Sequence, residues 1–215
     1  FQQNGVARVL FADRKNHPAL IWPTGAGKTF GGIAAVEKLL QLGLARKVLI
    51  CVPKHLVPQW VDDYRKLFPG RADQVLCAGK DSLTKKERGV FLSRAATGGY
   101  RVVILSHSQL KAIPVRDETF DIVVREQLET LEQEIADQEA LDDSRTNVPL
   151  KRLQAMKKSL EARLTDRAQR TAKDSSWTVT FEELGFDVFV GDEAQAWKNL
   201  QLVTRMGNVS GIRTG

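Results

Sequence analysis

Seven residues near the start of the chain, Pro23-Thr24-Gly25-Ala26-Gly27-Lys28-Thr29, have the composition of a phosphate cradle. Closely spaced glycines let backbone N–H groups close around phosphate oxygens, and a helix beginning there adds the positive end of its dipole. In such a loop the lysine reaches the β- and γ-phosphates and the following threonine hydroxyl ligates Mg²⁺. Lys28 and Thr29 are placed for those two roles, with Thr24, Gly25, Ala26 and Gly27 forming the cradle. The general pattern G-x-x-x-x-G-K-[ST] asks for glycine where this chain has Trp22, which is better read as a wall of the nucleotide pocket.

The complementary half of an ATP site lies far downstream. Phe186-Asp187-Val188-Phe189-Val190-Gly191 reads as a buried strand with Asp192-Glu193-Ala194-Gln195 at its end. Acidic residues at the carboxyl end of a parallel strand beside a phosphate loop can hold Mg²⁺ and orient an attacking water. Asp192 takes the metal role in this reading and Glu193 the role of general base. Cofactors are therefore expected to be ATP and Mg²⁺.

The variant x-P-T-G-x-G-K-T belongs to helicase-type motors, and further segments in order strengthen the likeness. Phe1-Gln2-Gln3-Asn4-Gly5-Val6, the strand Val48–Val52 with Pro53 and a later Gln59-Trp60, and Arg101–His107 each match a motif. So do Asp192-Glu193-Ala194-Gln195 and Trp197-Lys198-Asn199. The chain resembles the first motor domain of a superfamily 2 helicase or translocase, nearest to the Swi/Snf-related branch, over about residues 1–114 and 177–200. That resemblance implies an adenine-reading glutamine at Gln2 (Gln3 as the fallback) and a catalytic set of Lys28, Asp192, Glu193 and Gln195. It also implies duplex DNA as partner, translocation rather than strand separation, and a second motor domain in the same polypeptide supplying an arginine. The coupling motif S/T-A/G-T-P is not found in Thr204–Gly211.

The elements needed to position these groups alternate along the chain. Strands are expected at 19–22, 47–52, 75–77, 101–105 and 186–190, with helices at 28–42, 56–68 and 83–96. That alternation implies an α/β fold, a mostly parallel sheet with helices on both faces in the manner of RecA. Its carboxyl edge carries Thr24–Thr29, Pro53, Ser106 and Asp192. Lys54 and Arg101 are candidate contacts to a phosphate backbone, and His107 beside Ser106 is placed near DNA. Trp60, in a helical setting, reads as packing.

Charge separates another segment from this body. Residues 117–174 carry 14 acidic and 10 basic side chains, and the remainder 22 basic and 12 acidic, out of 32 and 26 in the whole chain. A body with that excess of Lys and Arg suits a polyanion. Within the segment, 117–143 has 11 acidic residues against Arg125, and 145–173 has nine basic against Glu161 and Asp166. Leu128, Leu131, Ile135 and Leu141 on one side of Thr146–Pro149, and Leu153, Met156, Leu160 and Leu164 on the other, have helical spacing. Two such helices should pair antiparallel as a charged hairpin inserted into the body. The expected domains are therefore 1–116 with 175–215, and 117–174.

No run approaches the roughly eighteen apolar residues a membrane span needs, so a cytoplasmic protein is expected. Opening at Phe1, the sequence reads as an excised piece of a longer one. Cys51 and Cys77 are too few for a disulfide framework or zinc site, and Cys51 reads as a small core residue. Two alternatives stand beside the motor. One is a nucleotide-dependent scaffold in a restriction, modification or antirestriction protein; the other is an unrelated kinase or transporter-type ATPase sharing the lysine loop.

Overall fold

The computed structural model describes residues 2–11, 18–19, 21–23, 25–79, 84, 87–140, 147–171 and 179–193. The described residues of 1–114 and 178–194 form one compact unit, and those of 115–177 another.

In the first unit, β1 (Val48–Val52), β2 (Val75–Cys77), β3 (Val102–Ser106) and β4 (Val188–Gly191) make one sheet in the order β2-β3-β1-β4. Every neighbouring pair is parallel. The central strands β1 and β3 are buried along their whole length, which is why Val-Leu-Ile-Cys-Val and Val-Val-Ile-Leu-Ser are continuously apolar until the last residue. Val48, Ile50, Val52, Val102 and Ile104 face a layer built from α2 (Lys28–Gln41) and α3 (Val57–Leu67). Those helices contribute Ile33, Val36 and Leu40, and Val57, Trp60, Val61 and Tyr64, at spacings that put each set on one face. Leu49, Val103 and Leu105 face the other layer, with Phe91, Leu92 and Ala95 of α4 (Arg88–Thr97) and Leu184 of a short 3₁₀ turn. The α/β architecture with helices on both faces is as expected.

Two polar devices hold this unit. Glu37 of α2 is 1% exposed; it accepts from Tyr64 Oη at 2.6 Å and pairs with Arg71 at 3.1 Å. Burial, reinforced by the adjacent carboxylate, holds the Tyr64 hydroxyl in its neutral, donating form. At the amino edge, Asp187 Oδ2 accepts from the backbone N–H groups of Arg46 (2.7 Å) and Lys47 (3.0 Å), fixing the start of β4 beside β1. Cys51 is fully buried and its thiol is pushed up to about 12 by desolvation. It is an inert core residue.

Two expected features differ in the structure, and one element is additional. The described residues of 19–22 form no strand: Ile21 is 90% exposed, and Trp22 packs its ring against Gly5 and Gly31 on two helices. Residues Gln2–Leu10 form a helix, α1, that was not anticipated. Arg101 lies at the amino edge, where its guanidinium donates to the Leu40 carbonyl in the last turn of α2 at 3.0 Å.

In the second unit, α6 (Asp117–Ala140) and α7 (Asn147–Thr171) pair antiparallel, since Asp117 meets Arg167 at 2.8 Å and Glu132 meets Lys157 at 2.7 Å. The four-residue helix α5 (His107–Leu110) precedes them in the first unit. The seam buries Val124, Leu131, Leu153 and Leu160 and is flanked by Phe120, Leu128, Ile135, Met156 and Leu164. Val124 and Phe120 extend the seam about two turns beyond the leucines that signalled it. Arg167 also stacks 4.5 Å from the Phe120 ring centroid, worth of the order of 0.5–1 kcal/mol at a partly exposed site. Pro149 lies in the first turn of α7 rather than outside it, a position where its missing N–H costs little. Leu141 lies outside the described residues.

The hydrogen bonds to Asp187 lower its carboxyl pKa, the Arg46 N–H contributing most. A folded-state value below the unfolded one gives stability that is complete above about pH 4 and is lost as pH falls through the folded value. Asp187→Asn should therefore lower the melting temperature at pH 7. The gap to the unsubstituted chain should narrow as pH falls below about 4 and close below the folded-state value; circular dichroism melts across the acid range check it.

Candidate nucleotide-phosphate site

α2 crosses the sheet antiparallel to β1, its end at Leu40 lying beside Arg101 at the amino edge. A 14-residue helix is about 21 Å long, more than the about 17 Å of a five-residue strand. Lys28, its first residue, therefore stands at the carboxyl edge. The loop before it has left-handed backbone at Gly25 (φ 81°) and Gly27 (φ 80°), conformations an L side chain enters at a cost of about 1–2 kcal/mol. Gly27 is the residue before the helix and, having no side chain, makes no side-chain cap; among the described residues no other side chain caps the first turn. The N-terminal N–H groups of α2 are thus left without the side-chain acceptor that helices ordinarily recruit.

Two side chains bear on this loop. Gln2 Nε2 donates to the Ala26 carbonyl at 2.8 Å, and a Cβ at Gly27 would overlap that same amide. Lys28 Nζ donates to the Trp22 carbonyl at 3.1 Å, holding its charge folded against its own loop. Trp22, expected as a pocket wall, is instead a wedge that fits because neither Gly5 nor Gly31 carries a side chain. Trp60 is 3% exposed and packs over Gly32, as its helical setting suggested.

The acidic pair sits at the same edge. β1 and β4 run in register from Val48–Val188 to Cys51–Gly191, and the ladder continues with Asp192 N–H donating to Cys51 O at 2.9 Å. Asp192 Oδ1 accepts from Glu193 N–H at 3.0 Å. Glu193 has φ 54°, the single positive φ outside glycine among the described residues. A turn of that kind on a non-glycine residue stores on the order of 1 kcal/mol or more.

The exit of β3 completes the edge. Ser106 is 1% exposed and opens α5 through a capping box: Gln109 N–H donates to Ser106 Oγ, and Ser106 N–H to Gln109 Oε1. The Ser106 hydroxyl is thereby spent inside the protein rather than offered to a ligand. The sequence Ser-x-x-Gln carried this signal. His107 Nε2 lies 3.0 Å from the Asp192 carbonyl oxygen, a link that no motif announced. Lys54, in the 3₁₀ turn after β1, is exposed. Thr24, Gln195 and the 197–199 segment lie outside the described residues.

A Mg²⁺–triphosphate fits this chemistry. The glycine turn and helix start would supply donors, Lys28 a positive charge, and Thr29 and Asp192 hard oxygen ligands of the kind Mg²⁺ takes together with waters and phosphate oxygens. Among the described residues there is no cluster of three or more His, Cys, Asp or Glu that could hold a metal alone.

Residues 16–215 match a family model described as a probable helicase domain. The chain belongs to that family. No curated protein and no solved structure matches the sequence. The helicase-like domain spans both the lysine loop and the acidic pair. Among its described residues, no helix is long and apolar enough to cross a membrane.

Gly27→Ala should cost about 1 kcal/mol from the left-handed backbone and displace Gln2 as well. Gly25→Ala, with open space around the added methyl, should cost a similar amount and leave Gln2 in place. Chemical denaturation of both variants, with an NMR readout of the Gln2 side-chain amide, separates the two effects.

Proposed function

We propose that this helicase-like domain is the ATP-binding first motor domain of a superfamily 2 translocase of the Swi/Snf-related type, working on duplex DNA with a second motor domain. The observation that carries the reading is the arrival of Lys28 and the Asp192–Glu193 pair at one edge of a parallel sheet, from segments more than 160 residues apart in sequence. Family membership favours it, and the basic body suits a polyanionic track.

In this reading Lys28 leaves the Trp22 carbonyl to meet the β- and γ-phosphates, while the first N–H groups of α2 meet phosphate oxygens. Thr29 and Asp192 hold Mg²⁺, which supplies neutralisation of the developing phosphate charge. Water adds to the γ-phosphorus, the bond to the β-phosphate oxygen breaks, and the water proton passes to the Glu193 carboxylate. An arginine from the second motor domain completes charge stabilisation, so this domain alone is expected to turn over poorly. In this reading Gln2, whose amide donates to the Ala26 carbonyl, is the adenine-reading residue. Gln195 belongs to the same acidic loop in this scheme. Lys54 is the exposed candidate for the DNA backbone.

Lys28→Ala should weaken Mg·ATP binding by about 2 kcal/mol, roughly thirtyfold, as expected for loss of one charge-assisted contact. Calorimetric titration of the chain reads this directly, and equal affinity in the variant would remove the phosphate role. Glu193→Gln should leave binding within about threefold while abolishing DNA-stimulated hydrolysis in the protein carrying both motor domains. Retention of most of that activity would assign the base elsewhere.

A further inference from the structure

Hydrogen bonds run across the carboxyl edge from one strand exit to the next. Gln109 Nε2 donates to Gly79 O, just after β2, at 2.8 Å. Its Oε1 accepts from Ser106 N–H and from Ser106 Oγ, each at 2.8 Å. That capping box fixes the first turn of α5 and with it His107, whose Nε2 reaches the Asp192 carbonyl at 3.0 Å. Asp192 is itself tied to β1 through Cys51 O and to Glu193 through its own carboxylate. A carbonyl oxygen can only accept, so His107 Nε2 carries the proton in this contact.

We infer that His107 is a positioning residue: by donating to the Asp192 carbonyl it holds the Asp192–Glu193 turn, including the left-handed backbone of Glu193, in one arrangement. This rests on the reading of Asp192 and Glu193 as the metal-holding and water-activating pair. It assigns His107, a nucleic-acid candidate by sequence, to the acidic loop instead. The physical reason for such an anchor lies in the turn itself. Beyond the Asp192 N–H to Cys51 O bond the β4 ladder has ended, and Glu193 is exposed with φ 54°. An unfavourable backbone conformation persists only where surrounding bonds determine it. His107 supplies one such bond from the neighbouring rigid cap.

The test uses the chain with His107→Ala, His107→Phe and His107→Gln. The Gln amide keeps an N–H donor on a side chain long enough to reach a carbonyl; the other two keep none. Ring ¹⁵N spectra of the unsubstituted chain should show the proton on His107 Nε2. Amide hydrogen exchange at Asp192 should speed up about three- to tenfold in the Ala and Phe variants, the scale of one neutral hydrogen bond. Val190, inside the β4 ladder, should be unchanged, and the Gln variant should restore Asp192 protection. A proton on Nδ1 only, unchanged exchange at Asp192, or equal acceleration at Val190 and Asp192 would each overturn the inference. In the two-motor protein, the Ala variant should lower kcat for ATP with KM within about twofold, and the Gln variant should recover it. Absence of any ATPase in the unsubstituted protein would count against the proposed function, while the exchange result would still decide whether His107 holds the turn.

Discussion

The parallel pairing of β4 with β1 is the constraint on which the rest depends. Val188–Gly191 lies about 140 residues downstream of Val48–Cys51 in sequence, and closing so long a loop costs entropy before any contact repays it. Repayment comes from the fully buried β1, from Val188 and Val190 joining the α2–α3 core, and from the Asp187 clamp at the amino edge. Once that register is fixed, the direction of the chain leaves no freedom about where Asp192 emerges. The same direction applied to β3 brings out Ser106 and His107 beside it, because Val52 and Ser106 are partners in register. A one-residue slip would reverse the faces of Val188, Phe189 and Val190 and remove Asp192 from the Cys51 carbonyl.

The hairpin of α6 and α7 has a separate logic. Its seam is narrow, four buried residues with five flanking ones, and surface ion pairs such as Lys157–Glu132 add little each. Lys157 has its pKa raised chiefly by the hydrogen bond to Glu132. The opposite charge of the two helices does more for orientation than for stability, since the acidic helix and the basic helix each repel a copy of themselves. The apolar seam and the Arg167–Phe120 stack supply the cohesion.

Much of this was legible in the sequence because it is periodic or compositional. The runs 48–52 and 102–106 are apolar without interruption, and α2 and α3 carry their apolar residues at three- and four-residue spacing, so the layers were readable. The positions of Lys28 at a helix start and of Asp192 and Glu193 at a strand end were readable because glycine-rich turns and acidic strand ends are local patterns. What was not legible depends on contacts between distant segments. Ala19–Trp22 looks like a strand, yet the bare backbone at Gly5 and Gly31 lets Trp22 dock between helices. Arg101 looks like a free cation until the end of α2 arrives beside it. His107 looks like a loop residue until β4 delivers the Asp192 carbonyl to it. Gln109 could have been found, since Ser106-x-x-Gln109 is a capping box on inspection.

Phosphate binding at the carboxyl edge of the sheet is the central claim about this molecule's function. Hydrogen exchange of the chain, read by mass spectrometry with and without saturating Mg·ATP, tests that most directly. Residues 25–31 and 190–193 should gain protection together, while the amino-edge residues 46–48 and 187 stay unchanged. Protection confined to the amino edge or to the α6–α7 hairpin, or no protection at any saturating concentration, would contradict it.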